Sequence, residues 1–323
     1  MSGMISVVIP YYQRQPGVLR RALASVWAQQ DCGMPVQVIV IDDGSPVSAS
    51  SELDGWNAQS GSVKILNQTN AGPGAARNAG LERVGQSTRY VAFLDSDDEW
   101  SPDHLARAVH ALECGFDFYF ADLYQLDQTV GAFARGGRLD PAHHPNIGAP
   151  VPKLHAYQGD MFDQIVRGNV IGTPTVVYRL DKAPKARFRT DLTTAGEDYL
   201  FWMTLAKAGL RIAFSSQIAT TCGRGVNVYS GALWASDEYF VRLRHELSYR
   251  KATRQLFEVN ADQETHLQRS IAGLRESFAA ALLHRYRHRQ GLAASLLKAH
   301  WRADPRSYLV IPSTGVRMMI GRK

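Results

Sequence analysis

Cysteine and long apolar runs are both scarce in this chain of 323 residues. Its three cysteines, Cys32, Cys114 and Cys222, are far apart and form no C-x-x-C pair, so we expect buried or free thiols in a reducing compartment. No apolar stretch approaches the ~18–20 residues that a membrane span needs. A signal peptide is not expected either, because the strand-like segment 5–9 begins almost at once. These absences predict a cytoplasmic protein.

Positive charge is concentrated at one end of the chain. Residues 284–323 carry nine Lys or Arg side chains and one acid, Asp304. Apolar and basic side chains alternate within this tail: Leu292, Leu296, Leu297 and Trp301 stand beside Lys298 and Arg302. Such a helix would suit peripheral contact with an anionic membrane, here the inner face of the plasma membrane. A solvated face that pairs subunits into a homodimer is the alternative, and no nucleic-acid motif accompanies the basic residues.

Strand and helix patterns alternate over the first 125 residues. The predicted strands are 5–9, 36–41, 63–66, 90–94 and 116–123, with a turn at residues 10–12. Helical spacing covers 19–27, a helix over 73–84 has Pro73 in its first turn, and Ser101 followed by Pro102 predicts another helix start. Repeated β-α-β units predict an α/β fold with a mostly parallel sheet and helices on both faces.

The second half of the sequence changes character twice. Residues 131–159 are rich in Gly, Pro and His and are interpreted as a long loop, with further strands over 170–178 and 211–214. After about residue 230 the pattern is helical, over 234–257, 261–288 and 292–301. We therefore predict a catalytic domain over 1–230 and a helical, basic region over 231–323.

Two acidic clusters directly follow two of the predicted buried strands. Asp42 and Asp43 follow the second strand, and Asp95-Ser96-Asp97-Asp98 follows the fourth. In parallel sheets, ligands collect just past the carboxyl ends of the strands. Carboxylates at neighbouring strand ends can hold Mg²⁺ or Mn²⁺ and, through the ion, a diphosphate. The clusters therefore indicate a nucleotide-sugar site.

Five segments in one order carry a family resemblance: Ser6–Tyr12, Ile41–Ser45, Asn70–Asn78, Phe93–Asp98 and Gly196–Asp198. Together they resemble the inverting family 2 glycosyltransferases of the GT-A fold, over roughly residues 4–215. Within that family the chain looks most like bacterial enzymes of exopolysaccharide assembly, of the succinoglycan type. The resemblance implies a GT-A sheet followed by a helical C-terminal extension. It also implies transfer of a sugar from a nucleotide sugar, such as UDP-glucose, to a hydroxyl of an acceptor that is lipid-linked.

The resemblance assigns a role to each residue of the donor site. Asp97 would be the direct metal ligand, and Asp95 would bind the ribose or assist the metal within the motif Asp95-Ser96-Asp97. The base, a uracil, would meet Asp43, with Pro10 and Tyr12 as walls of the pocket, and Arg77 would lie beside the nucleotide. Each has a structural alternative. The motif Asp95-Ser96-Asp97 could be an acidic turn that caps a helix, Asp43 could belong to an Asx turn after a strand, and Arg77 could form a surface or interstrand salt bridge.

The pair Glu197-Asp198 matches the family's second acidic motif. An inverting transfer needs a base that takes the proton from the attacking hydroxyl, and Asp198 is our choice, with Glu197 orienting it. An acidic first helical turn, favoured by the helix dipole, is the alternative. Trp202, one turn later, is either an acceptor platform or, more simply, part of the core.

One segment departs from the family pattern. Relatives often carry a His after the last sheet strand, whereas this chain has Cys222-Gly223-Arg224-Gly225-Val226-Asn227. Arg224 could hold the diphosphate and Asn227 could offer an oxygen, which leaves the third protein ligand of the metal open. A non-catalytic scaffold that binds nucleotide sugars therefore stays an alternative. A sugar nucleotidyltransferase is a weaker one, because the Pro-Lys expected near the amino terminus is replaced by Pro10-Tyr11.

Overall fold

The computed structural model describes residues 3–55, 63–148, 151–193, 195–225 and 233–320. The chain divides into two compact units. Unit one contains Met1–Thr190 and Phe201–Val226, and unit two contains Asp191–Leu200 and Asn227–Lys323. The predicted division after residue 230 remains a prediction, and the short segment Asp191–Leu200 groups with the C-terminal residues.

All strands of the described residues lie in one sheet of unit one. They are β1 Met4–Tyr11, β2 Val36–Asp42, β3 Val63–Asn67, β4 Thr88–Phe93, β5 Glu99–Trp100, β6 Phe118–Tyr124, β7 Leu154–Ala156, β8 Val177–Arg179 and β9 Ile212–Thr221. Their order is β3-β2-β1-β4-β8-β6-β9-β5, and β7 pairs with β9.

The α-helices of the described residues alternate with these strands and then fill the C-terminal part. They are α1 Val18–Trp27, α2 Ala49–Glu52, α3 Pro73–Leu81, α4 His104–Glu113, α5 Ala132–Gly136, α6 Met161–Arg167, α7 Glu197–Lys207, α8 Asp237–Leu256, α9 Ala261–Arg287, α10 Ala294–Ala303, α11 Arg306–Leu309 and α12 Ile311–Ile320.

The first half of the sheet, β3-β2-β1-β4, is parallel throughout. Its central strands are almost continuous apolar runs, as expected of strands covered on both faces. Helix α1 packs its apolar side chains at Leu19, Leu23 and Val26 into the same core. Helix α3 starts at Pro73, as predicted, because proline needs no backbone donor in the first turn. This half places the ends of β1, β2 and β4 along one edge.

The second half of the sheet is mixed, although the longer pairings of the whole sheet, β1 with β2 and β4, β2 with β3, and β6 with β9, are parallel as predicted. Strand β8 pairs antiparallel with β4 and β6, whereas β6 and β9 are parallel. The prediction of a strand over 170–178 is wrong in part. Thr173–Thr175 forms a 3₁₀ turn, and β8 starts only at Val177. Pro174 explains the interruption, because it cannot donate to a central ladder.

The predicted turn at residues 10–12 begins too early. Strand β1 continues through Pro10 and Tyr11, which pair with Ile41 and Asp42 of β2. On its other side the pairing with β4 has already ended at Val8. The strand therefore tolerates Pro10, because this residue, which has no N–H, lies beyond the last pairing of β1 with β4.

Three other local predictions need correction. The segment 131–159 is not only loop, since α5, a 3₁₀ turn at Pro141–His143 and β7 lie in it. Ser101 does not cap α4, because the helix begins after Asp103 and the Ser101 hydroxyl donates to Asp103 Oδ1 (2.9 Å). Strand β9 runs on to Thr221, far past the predicted end at residue 214.

Unit two is built around one buried acid. Asp304 accepts two hydrogen bonds from Arg275 (2.8 Å each) and one from Ser307 (2.7 Å), and Lys251 lies at 3.4 Å. Although burial opposes it, these donors hold the pKa of Asp304 far below its usual range. The cluster links α8 and α9 to the end of α10 and the start of α11. No helix in the described part of the chain is long and apolar enough to cross a membrane.

A buried histidine in unit one leads to a pH prediction. His104 is fully buried between Trp100 and Tyr119, and neither ring nitrogen has a hydrogen-bond partner. Burial lowers its pKa to about 3. The unfolded chain, with a histidine pKa of about 6.5, binds the proton first, so stability falls as the pH drops below that value.

We expect this single group to cost the wild type up to about 3 kcal/mol of unfolding free energy between pH 6.5 and 4, relative to His104→Phe. Urea denaturation of both proteins across this range measures the difference. Identical pH slopes for the two proteins would contradict the prediction.

Candidate functional site

The carboxyl ends of β1, β2 and β4 bring most of the predicted site residues to one edge of the sheet in unit one. Tyr11 pairs with Asp42, and Leu94 N donates to Val8 O (3.2 Å), so these strands end side by side. Pro10 lies in the last part of β1, and Tyr12 follows it, half-buried. Gln13 then connects the strand ends, because its amide Nε2 donates to Ser96 Oγ (3.1 Å).

Asp43 is buried and holds the loop before α3. Its Oδ1 accepts from Gln68 Nε2 (2.7 Å) and Ala71 N (2.8 Å), and its Oδ2 accepts from Gly72 N (2.8 Å). Gly72 has a φ of 89°, which favours glycine at this turn. Asp42, by contrast, is used within its own turn, where it accepts from Ser45 N and Ala49 N (2.8 Å each). Asp43 thus determines where α3 begins.

Helix α3 carries Arg77 back to the end of β4. The Arg77 guanidinium donates to Asp95 Oδ1 (2.7 Å) and lies 5.4 Å from the Phe188 ring centroid. Arg77 is 4% exposed, whereas the Asp95 side chain is 31% exposed. The salt bridge considered as an alternative for Arg77 is therefore present, and Asp95 already has a cationic partner.

Asp97 and Asp98 are covered by the segment that follows β9. Gly225 N donates to Asp97 Oδ2 (2.7 Å), and Gly223 N donates to Asp98 Oδ1 (2.9 Å). A Cβ on Gly223 would lie 1.8 Å from the Asp97 carbonyl oxygen, and one on Gly225 would lie 2.6 Å from Asp97 Oδ2. The two glycines are what allow this close approach. We call residues 222–225 the glycine strap.

The electrostatics of the acidic cluster suit a cation. Burial and the neighbouring Asp95 raise the pKa of Asp97, and burial with Asp95 and Asp97 raises that of Asp98 well above its usual range. The backbone amides of the strap compensate only in part. Carboxylate oxygens are ligands that Mg²⁺ and Mn²⁺ prefer. Among the residues that the structure describes, no group of three or more His, Cys, Asp or Glu side chains is arranged to hold a metal ion.

Arg224 forms a surface ion pair with Asp127. Both side chains are well exposed, at 74% and 67%. An exposed pair of this kind contributes little to stability and exchanges readily. Asn227, the other candidate from this segment, lies outside the described residues.

Glu197 and Asp198 form the first turn of α7 and belong to unit two. Glu197 is buried, and Asp198 is half-buried and accepts from Tyr199 N through its Oδ1 (2.8 Å). The helix starts from Gly196, whose carbonyl oxygen accepts from Leu200 N (3.1 Å). An acidic first helical turn is thus present, which by itself decides neither interpretation of Asp198. Trp202 is 1% exposed and packs against Phe93 and Phe118 in unit one, which confirms the core interpretation.

The sequence analysis missed several residues that shape this edge. Gln13 and Gln68 touch the predicted residues Ser96 and Asp43 directly, and Phe188 stacks near Arg77. Asp127 was missed as the partner of Arg224. The glutamines follow the ends of β1 and β3 within two residues, so a search of every strand end for polar side chains could have found them. Phe188 and Asp127 had no such signal.

Comparisons with known proteins give one consistent result. The sequence profile of Glycosyl transferase family 2 matches residues 6–165. The succinoglycan biosynthesis protein ExoW of Rhizobium meliloti is 33% identical over 235 residues, which are 70% of this chain and 70% of ExoW. The minor teichoic acid biosynthesis protein GgaA of Bacillus subtilis is 35% identical over 146 residues, which are 44% of this chain but only 30% of GgaA.

Solved structures with the same fold are more distant in sequence. TarS residues 1–349 of S. aureus, in complex with UDP, superposes with a TM-score of 0.54 at 17% identity, over 97% of this chain and 86% of TarS 1–349. The mannosyltransferase PcManGT of Pyrobaculum calidifontis, in complex with GDP-Man and Mn²⁺, gives 0.57 at 15% identity, over 99% and 87%. The chain therefore has the mixed α/β GT-A fold with additional C-terminal helices, as predicted.

The glycine strap leads to a stability prediction. Gly223→Ala should lower the unfolding free energy by about 1–3 kcal/mol, because the new Cβ meets backbone atoms of Asp97 that cannot move aside cheaply. Gly136→Ala is the control, since its Cβ would meet nothing within 4 Å, and we expect a change below about 0.5 kcal/mol. Chemical denaturation measures both. Equal stability of the two variants would show that the strap does not sit against Asp97.

Proposed function

The chain belongs to Glycosyl transferase family 2, and we propose that it transfers a sugar, with inversion, from a UDP-sugar such as UDP-glucose to an acceptor hydroxyl. The acceptor would be a lipid-linked oligosaccharide in bacterial exopolysaccharide biosynthesis. The main support for a donor site is that Asp43, Arg77 and the Asp95–Asp98 cluster lie at one edge of the sheet. Similarity to ExoW and GgaA, both named for polymer biosynthesis, supports the acceptor class.

Asp43 would recognise the base. A carboxylate has about four lone-pair positions. Three are taken by Gln68 Nε2, Ala71 N and Gly72 N, so one position on Oδ2 remains for the imide N–H of uracil. Pro10 and Tyr12 would flank the ring, as the family resemblance implies, since an aromatic face stacks on a base.

The diphosphate would meet the acidic cluster and Arg224. Asp97 would hold Mg²⁺ or Mn²⁺, with Asp95 and Ser96 beside it, and the bound ion would supply charge neutralisation for the departing diphosphate. Arg224 would exchange Asp127 for the diphosphate, because a charge-assisted bond to phosphate is stronger than an exposed ion pair. Arg77 would keep Asp95 in place rather than bind the donor directly.

Asp198 would be the general base, with Glu197 orienting it. It takes the proton of the acceptor hydroxyl as that oxygen attacks the anomeric carbon and the nucleoside diphosphate leaves from the opposite face. The displacement is direct, so no covalent intermediate with the protein is required.

The donor can be identified with the protein in hand. UDP-glucose, UDP-galactose, UDP-GlcNAc and GDP-mannose, each with Mg²⁺ or Mn²⁺, form a thermal-shift and hydrolysis panel. UDP-sugars should stabilise the protein more than GDP-mannose, and release of UDP should depend on the metal. A non-catalytic scaffold would bind the nucleotide sugar but would release no UDP. A larger shift with GDP-mannose would contradict the proposed base recognition.

Replacing the base separates binding from chemistry. Asp198→Asn should lower the hydrolysis rate of the best donor by at least about 10²-fold, with the Kd for UDP and Mn²⁺ changed less than about twofold. Titration calorimetry and UDP release measure the two quantities. Asp54→Asn, an exposed acid outside the site, is the control. Retained turnover in Asp198→Asn would remove Asp198 from its role.

The C-terminal helices would contact an anionic membrane. Trp301, Leu309 and Val316 are 53%, 76% and 51% exposed. Basic side chains at Lys298, Arg302 and Arg306 are exposed on the same short helices. Aromatic and apolar side chains among basic ones are typical of interfacial helices that bind anionic leaflets. The contact would bring the enzyme to a lipid-linked acceptor.

Vesicle binding tests this contact. The full-length protein should sediment with vesicles of 30% phosphatidylglycerol, and less so as salt rises. Leu309→Glu should weaken binding at least about tenfold, whereas Leu256→Glu, which changes a 50% exposed side chain on α8, should not. Unchanged binding of Leu309→Glu would contradict the proposal. A homodimer disrupted by Leu309→Glu, seen by light scattering, would assign this surface to subunit pairing instead.

A further inference from the structure

We propose that Tyr249 of α8 is a positioning residue for the turn that presents Asp198. The inference rests on the proposed function, because it takes Asp198 as the base. It adds that the C-terminal helices serve the transfer step by holding this turn, whereas the described residues predicted to bind the donor belong to unit one.

The turn before α7 is built against the Tyr249 side chain. Gly196 has a φ of 92°, in the region that favours glycine. A Cβ on Gly196 would lie 2.5 Å from Tyr249 Cβ and 2.6 Å from two of its ring atoms. No side chain fits between this backbone and the ring. Both the conformation and the space at Gly196 are thus matched to Tyr249.

The same ring contacts the turn on the other side of Asp198. The Tyr199 and Tyr249 rings meet edge to face, with centroids 5.4 Å apart. Tyr199 N in turn donates to Asp198 Oδ1 (2.8 Å). Contacts at Gly196 and at Tyr199 therefore flank the two acidic residues, and one tyrosine determines the direction of the helix start.

Tyr249 is buried, and its phenol does not ionise near neutral pH. It is 8% exposed, the Arg250 guanidinium lies 4.6 Å from its ring centroid, and its carbonyl oxygen accepts from Thr253 Oγ1 (2.9 Å). Burial raises its pKa to about 12, so the phenol stays neutral and is not a second base. Its contribution is the position of its ring.

Position matters for a general base because the proton must be taken within hydrogen-bond reach. A misplacement of about 1 Å can cost about 10²-fold in rate. Such a loss falls on kcat and leaves the binding of nucleotide and metal unchanged, since the described residues predicted to bind the donor, from Pro10 to Arg224, belong to unit one.

The test compares three variants of the full-length protein with the best donor of the panel above. Tyr249→Ala should lower kcat for hydrolysis about 10²-fold, with KM and the Kd for UDP and Mn²⁺ within about twofold of wild type. Tyr249→Phe keeps the ring and should retain kcat within about threefold. Tyr239→Ala removes a tyrosine from the same helix, in a different apolar cluster, and should behave as wild type.

A variant at the facing glycine completes the test. Gly196→Ala should lower kcat in the same way. The fold-loss of kcat in the double variant Gly196→Ala/Tyr249→Ala should be smaller than the product of the two single fold-losses, because the two residues share one contact. Full additivity would overturn the inference.

Two further outcomes would overturn it as well. One is an unchanged kcat in Tyr249→Ala while Asp198→Asn is inactive, which leaves the proposed function standing. The other is a parallel loss of UDP affinity and kcat, which indicates a general loss of structure. Turnover retained by Asp198→Asn would instead remove the proposed function and this inference with it.

Discussion

The buried ion pair between Arg77 and Asp95 is the interaction on which the donor edge depends. It ties Asp95, the second residue after β4, to a helix whose start is determined by Asp43 at the end of β2. Two chain segments that are distant in sequence are thereby locked at one edge of a parallel sheet, where ligands of such sheets collect. Removing Asp95 would take this partner from the charge of Arg77, which is 4% exposed, and that is costly. The pair therefore explains why the arginine of α3 and the first acid after β4 lie together at this edge.

Two buried acidic environments in the chain contrast usefully. Asp304 in unit two has a guanidinium, an ammonium and a hydroxyl around it, and its pKa is held far below the usual range. Asp97 and Asp98 have backbone amides of the glycine strap and one another, and their pKa values are raised. The first arrangement is complete and stabilises a helical assembly. The second makes ionisation of the two carboxyl groups costly, and perturbed groups of that kind concentrate at functional sites.

The sequence predicted the parallel half of the fold well, because that half depends on local patterns. Apolar runs followed by acids identify β2 and β4, and Pro73 identifies the start of α3. The antiparallel direction of β8 and the strand within 131–159 could not be predicted, since the pairing of short strands is selected by partners that are remote in sequence. For the same reason the ion pair of Arg224 with Asp127 and the contact of Gly196 with Tyr249 had no signal. The role of Glu197 and Asp198 rests on the family motif, and their grouping with C-terminal helices emerged only from the structure.

The central claim is that Asp97 and its neighbours bind a divalent cation together with the diphosphate of a nucleotide sugar. A crystal structure with UDP and Mn²⁺, with anomalous data collected near the manganese edge, tests it most directly. We expect one anomalous peak within coordination distance of an Asp97 carboxylate oxygen and of the UDP phosphates. We also expect the uracil to lie against Asp43. A manganese peak remote from Asp97, or UDP bound away from this edge of the sheet, would contradict it.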